Sequence, residues 1–204
     1  MAEGATIHLV DDDSALRRSL GRLLATAGRK VVTHASAAEF FEQFDPDVAG
    51  CLVLDRKMPG ADGHAVQTWL RERRACLPII FLTAEGDIPS SVRAMRDGAV
   101  DYLTKPIAAA ALLASVDRAL GLDRERRARR AEADAHSRRL ASLTQREREV
   151  LDAAVAGRLN KQIAGDLGIV EKTVKVHRAR AMKKMGAGTF ADLVTMVVRH
   201  RDDG

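Results

Sequence analysis

Cys51-Leu52-Val53-Leu54-Asp55 sets four apolar side chains in a row and then stops at a carboxylate. A short apolar run of this kind reads as a strand covered on both faces, as in parallel sheets. Four more runs share the character: Ile7–Val10, Val31–Thr33, Ile79–Leu82 and Val100–Leu103. Between them, apolar residues recur at helical spacing. Leu16, Leu20, Leu23, Leu24 and Ala27 form one stripe, and Phe40, Phe41 and Phe44 a shorter one. Ala65, Val66, Trp69 and Leu70 follow, then Val92, Met95 and Ala99, then Leu112, Leu113, Val116 and Leu120. Gly28 and Gly98 come just after the first and fourth stripes, where a helix end often needs positive φ. Strand and helix alternating five times predict an α/β unit with an open, doubly covered parallel sheet.

The ends of the strands carry the chemistry. The first run stops at Asp11-Asp12-Asp13, the third at Asp55, the fourth at Thr83, and the fifth leads through Thr104 into Lys105-Pro106. In a parallel sheet these ends share one edge, the edge where open α/β sheets bind ligands. Carboxylates gathered there repel one another unless a cation intervenes, and oxygen-only ligands with room for water suit Mg²⁺. A divalent ion beside Lys105 and Thr83 could receive a phosphoryl group, with one carboxylate as its nucleophile. Asp13 is better placed as the cap of the first helix. Trp69 falls in an apolar stripe and reads as core, and the six histidines show no ligand spacing.

Composition narrows the class. Of 204 residues, 46% are hydrophobic and only 3% aromatic, a profile of a folded chain with an aliphatic core. Cys51 and Cys76 form neither a metal spacing nor a disulfide framework, and Cys51 reads as a buried thiol. No signal peptide or membrane span is visible, so a cytoplasmic location is expected. Charge is uneven. Residues 1–120 hold 14 Lys/Arg and 16 Asp/Glu, a net of −2, while residues 121–204 hold 19 and 12, a net of +7. The basic half is the candidate for meeting a polyanion.

Val10-Asp11-Asp12-Asp13, Leu54-Asp55-Arg56-Lys57-Met58-Pro59-Gly60-Ala61-Asp62-Gly63, Thr83-Ala84 and Lys105-Pro106 occur in order over residues 5–120 and resemble the receiver domain of two-component response regulators. The resemblance implies a flavodoxin-like, doubly wound five-stranded sheet of order 2-1-3-4-5. It implies Asp55 as phosphoacceptor, with Mg²⁺ held by Asp12, Asp55 and the backbone carbonyl of Lys57, and by Asp11 through water. Lys105 and Thr83 would contact the phosphoryl oxygens, Tyr102 stands at an aromatic switch position, and a cis peptide is expected before Pro106. Lys57 and Glu85 occupy positions where the family varies the lifetime of the phosphate.

Residues 121–140 are rich in Arg, Ala and Glu, with no proline, and predict a helical linker, solvated and continuous with the last receiver helix. A Thr144-x-x-Glu147 capping box, with Ser142 as the alternative cap, then opens a helix. Helical segments follow at Asn160–Leu167, at Glu171–Met185 after the turn Gly168-Ile169-Val170, and at Phe190–Arg199. Helix, glycine turn and helix is the layout of a helix-turn-helix, and its second helix carries Lys172, Lys175, His177, Arg178, Arg180, Lys183 and Lys184.

Leu143-Thr144-Gln145-Arg146-Glu147-Arg148-Glu149-Val150-Leu151, Gly157, Asn160-Lys161-Gln162-Ile163-Ala164, Leu167 and Thr173-Val174-Lys175-Val176-His177 are similar to the LuxR/NarL-type DNA-binding module. The whole chain resembles the FixJ branch, and StyR-like regulators within it. The resemblance implies base-facing positions at Lys175, Val176 and Ala179, with Lys172, Thr173, His177, Arg180 and Lys183 completing the DNA contacts. Ala179 departs from the family in offering no hydrogen bond, and Val170 in lacking a capping hydroxyl. Leu193, Val194, Val197 and Val198 match the segment that such modules use to dimerise, with burial in the module's own core as the competing reading.

The expected organisation is a receiver at 1–120, a linker at 121–141 and a four-helix DNA-binding domain at 142–204. Expected partners are a sensor histidine kinase, promoter DNA, a second copy of the phosphorylated chain and, as a further candidate, RNA polymerase. No enzyme is expected beyond Mg²⁺-dependent phosphorylation and dephosphorylation at Asp55. Two rivals stand beside this: a regulator whose receiver no longer switches, and a phosphatase of the haloacid dehalogenase type. The latter needs a second carboxylate two residues after its nucleophile, where this chain has Lys57.

Overall fold

The computed structural model describes residues 4–58, 63–73, 75, 77–84 and 99–202. Cys76, Glu85, Val92, Met95, Gly98 and the stretch Pro59–Asp62 of the acceptor motif lie outside the described residues, as does the helix expected around Val92 and Met95. The chain divides into two compact units, Met1–Ala128 and Arg129–Gly204.

In the first unit, strands β1 (Thr6–Val10), β2 (Lys30–His34), β3 (Gly50–Asp55), β4 (Ile79–Thr83) and β5 (Asp101–Thr104) form one all-parallel sheet of order β2-β1-β3-β4-β5, the order that the resemblance implied. Helices α1 (Ser14–Thr26), α2 (Ala37–Gln43) and α3 (Gly63–Glu72) alternate with the strands. The apolar run that reads as β3 is buried along its whole length, and its side chains part by a period of two. Cys51 and Val53 join Leu20, Leu24, Leu112 and Val116 on one face. Leu52 and Leu54 join Phe40, Val66 and Leu70 on the other. Burial pushes the Cys51 thiol up to about 12, as an inert core residue requires.

Two local devices fix the entry and exit of α1. The Asp13 carboxylate accepts hydrogen bonds from the amides of Ala15 and Leu16 at 2.8 and 3.1 Å, the capping role expected of it. Gly28, at φ 76°, lets the chain turn back into β2 where a side chain would be strained. The peptide bond Lys105-Pro106 is cis, again as implied.

Helix α4 runs without a break from Ala109 to Ala141 and so includes the stretch expected to be a helical linker. Within the first unit its middle is not merely solvated. Asp123, 2% exposed, accepts a hydrogen bond from the Gly50 amide at 2.9 Å and pairs with Arg127. The Arg127 guanidinium in turn donates to the carbonyls of Pro46, Asp47 and Val48.

The second unit holds α5 (Gln145–Val155), α6 (Asn160–Leu167), α7 (Glu171–Met185) and α8 (Phe190–Asp202). The capping box at Thr144 and Glu147 is formed in both directions. Gly168 turns α6 into α7 at φ 64°, and Val170 gives α7 no side-chain cap, as its chemistry predicts. Val150, Ala154, Ile163, Ala164 and Val174 make one core cluster. Leu151, Ala181, Met185, Leu193 and Val197 make the second, which places the apolar stripe of α8 against the unit's own core. Val194 is half-buried.

Candidate functional site

The first site lies at the carboxyl ends of β1, β3, β4 and β5. Oxygens of Asp11, Asp12 and Asp55 all come within 4.8 Å of one another. Asp11 is fully buried, Asp55 nearly so, and Asp12 is exposed. Lys105 Nζ stands 3.0 Å from Asp11 Oδ2 and 3.0 Å from Asp55 Oδ2. Burial raises the Asp11 carboxyl above the ordinary carboxylate range, against the hydrogen bonds from Lys105 and the Asp13 amide, which lower it. Burial alone would lower Lys105, but its hydrogen bonds and charge pairing with Asp11 and Asp55 outweigh that and raise it. An all-oxygen donor set, with one carboxylate open to solvent, fits a hard divalent cation.

The surrounding backbone explains why these groups converge. The Asp13 amide donates to Asp11 Oδ1 at 2.8 Å, and Arg17 Nη1 donates to the Asp11 carbonyl at 2.5 Å, so the loop after β1 is tied to its own helix. Asp55 pairs in register with Leu82, and Thr83 with Thr104, which brings the Asp55 carboxylate, the hydroxyl and the lysine loop to one level. The Lys105 amide donates to the Thr83 carbonyl at 2.7 Å. Thr83 is buried, and its hydroxyl donates to the Ala84 carbonyl at 3.2 Å. The Lys57 amide reaches Asp55 Oδ1 at 3.4 Å, and its side chain is exposed. Tyr102 rests its ring on Phe81, centroids 5.4 Å apart, with its hydroxyl buried and unbonded among the described residues.

The second site is the outer face of α7. Lys172, Lys175, Val176, Ala179, Arg180 and Lys183 are all exposed, and their spacing of three and four puts them on one stripe. Val176, 42% exposed, is an apolar side chain standing among cations. Thr173 and His177 lie off the stripe and are half-buried, and His177 Nδ1 is buried without a hydrogen bond among the described residues. The remaining basic residues of the helix do structural work. Arg178 stacks over the Phe190 ring at 3.8 Å and reaches Asn160 Oδ1. Lys184 Nζ binds Glu147 Oε2 at 2.6 Å and the Ser142 carbonyl at 2.9 Å. Lys184, then the Thr144 amide, hold the Glu147 carboxyl down to about 2. Sequence reasoning counted Arg178 and Lys184 with the outward charges. Their phase, three or four residues from the buried Val174 and Ala181, was the available signal.

No helix among the described residues is long and apolar enough to cross a membrane. Residues 7–117 match the family model described as "Response regulator receiver domain", and residues 141–197 match "Bacterial regulatory proteins, luxR family". The chain is 45% identical over 193 residues to nodulation protein W of Bradyrhizobium diazoefficiens, covering 94% of this chain and 85% of that one. It is 42% identical over 198 residues to the transcriptional regulatory protein FixJ of Azorhizobium caulinodans, covering 97% and 94%. Among solved structures, the response regulator StyR matches with a TM-score of 0.89 at 44% identity, over 96% of this chain and 99% of that one. Full-length FixJ from B. japonicum matches with a TM-score of 0.59 at 35% identity, over 99% of both chains.

Proposed function

The chain belongs to the transcriptional response regulators, a receiver joined to a LuxR-type DNA-binding domain, and on that basis we propose that phosphorylation of Asp55 controls the DNA binding of α7. The observation that carries this is the single cluster of Asp11, Asp12, Asp55 and Lys105. Family membership implies a histidine kinase as donor and DNA as target. Asp12, Asp55 and the Lys57 carbonyl would hold Mg²⁺, with Asp11 acting through water, and the ion would supply charge neutralisation for the incoming phosphoryl group. Asp55 attacks the phosphorus in line as the bond to the donor histidine breaks, leaving an acyl phosphate. Lys105 turns from its paired carboxylates to a phosphoryl oxygen. Thr83 gives up the Ala84 carbonyl and donates to another, and Tyr102 is the ring that responds to its movement.

In the DNA complex, Lys175, Val176 and Ala179 face base edges in the major groove, and Lys172, Thr173, His177, Arg180 and Lys183 serve the phosphates and flanking contacts. The active form is a homodimer on a two-fold site at a promoter, in the cytoplasm, with RNA polymerase nearby. The receiver comprises residues 1–120, the linker 121–141 and the DNA-binding domain 142–204. Turnover is confined to the gain and loss of the Asp55 phosphoryl group.

The test is labelling with acetyl phosphate. The chain takes up one phosphoryl group in Mg²⁺ and none in excess chelator, and Asp55→Asn takes up none. Label retained by Asp55→Asn, or uptake indifferent to the chelator, overturns the proposal.

A further inference from the structure

At the opposite end of the receiver sheet, where β1 and β2 begin, a cavity of about 560 Å³ opens between the C-terminal end of α1 and the middle of α4. Among the described residues its cationic lining is Arg29, Lys30 and Arg124, and its one carboxylate is Asp117. That carboxylate is already occupied, since Arg29 Nη2 holds Asp117 Oδ1 at 2.5 Å. Lys30 and Arg124 are exposed and in no ion pair among the described residues, so the cavity has an excess of positive charge. Arg29 also carries a buried Nε that finds no hydrogen-bond acceptor among the described residues. A buried donor left unbonded is costly, and an anion that is part of the functional state is one common reason for it.

The glycine at this wall points the same way. Gly121 sits inside α4, where glycine is a poorer helix former than alanine. A Cβ at Gly121 would meet nothing within 4 Å, so packing does not demand the glycine. Its effect is to keep a helix wall open beside the cations.

We propose that this cavity binds a small phosphate-bearing anion, at a site separate from Asp55. The size is within the range of ligand pockets, and the cations are the type that recognises phosphate. Among the described residues the lining is glycine, alanine, leucine and charge, with no aromatic ring on which a base could stack. The ligand class is therefore a compact polyanion of the pyrophosphate kind and not a nucleotide.

The test uses the full chain in Mg²⁺-free buffer with chelator, which keeps the strand-tip acids from recruiting phosphate. Pyrophosphate, inorganic phosphate and ATP are titrated calorimetrically at constant ionic strength. Saturable binding of one pyrophosphate is expected, with ATP no tighter, and with affinity falling roughly tenfold or more in Arg29→Gln and in Arg124→Gln. Gly121→Leu, which fills the cavity and changes no charge, is expected to abolish binding, and Trp69 fluorescence verifies that each variant is folded. Absence of saturable binding, binding that Gly121→Leu leaves unchanged, or a tenfold preference for ATP overturns the proposal. None of these outcomes bears on the labelling of Asp55.

Discussion

Acidification should weaken the receiver through a buried pair of histidines. His8 Nδ1 and His34 Nε2 stand 3.0 Å apart on neighbouring strands, their rings stacked at 5.3 Å. Phe40 meets both rings edge-on, and Phe44 meets that of His8. Burial first, then the charges of His34 and Lys30, hold His8 down to about 4. Burial also lowers His34, against an opposing pull from Glu39. Above pH 6.5 both imidazoles are neutral whether the chain is folded or not, and the pair adds no pH dependence. Below it, the unfolded chain takes up a proton that the folded chain refuses, and stability falls until the folded His8 itself titrates near 4. The drop from 6.5 to about 4 corresponds to about 3 kcal/mol in full, and to about 2 kcal/mol by pH 5. Trp69 is the sole tryptophan and belongs to the first unit, so urea unfolding followed by its fluorescence reports that unit. Between pH 7.5 and 5 the wild type should lose about 2 kcal/mol more than the variant His8→Leu/His34→Leu. Parallel losses in the two proteins would refute the reasoning.

Four further outcomes are expected. Gly50→Ala places a Cβ 1.9 Å from the Thr6 carbonyl oxygen, backbone that cannot swing aside, and should cost the receiver about 3 kcal/mol or more in urea unfolding. Leu151→Ala, in the core of the second unit at 1% exposure, should cost about 2–5 kcal/mol and lower that unit's melting by circular dichroism. Lys183→Ala should leave melting unchanged and reduce the salt slope of DNA binding by about 1. Its neighbour Lys184→Met should instead lower the melting temperature and bring the Glu147 carboxyl up from about 2. The stability that this depressed carboxyl contributes is present above its ordinary 4.5 and lost as the pH falls towards 2. Equal melting of the two lysine variants would contradict the anchoring of Lys184 to Glu147.

The acid cluster could be read from sequence because each member ends an apolar run, and a parallel sheet aligns those ends whatever the intervening helices do. Strand, acid and lysine therefore appear in the chain as local signals. The contacts that escaped reading are between distant residues with no local signature. Asp123 meets Gly50 across 73 positions, and His8 meets His34 across 26, although each histidine taken alone suggests no site. Arg127 looked like one charge among many in an arginine-rich stretch, and only the fold shows it holding three carbonyls. Lys183 and Lys184 are identical neighbours, and the 100° between them on the helix decides that one faces outward and the other reaches Glu147.

Lys105 already sits between two acids at 3.0 Å from each, and this bears on what the receiver does between signals. A fold that relied on a metal to silence its carboxylates would come apart whenever the metal left. Here a tethered ammonium offsets that charge, so a divalent ion would compete with Lys105 for the Asp55 carboxylate. In the proposed reaction the same side chain would leave these acids for the phosphoryl group, so gathering the carboxylates and contacting the phosphate would fall to one residue.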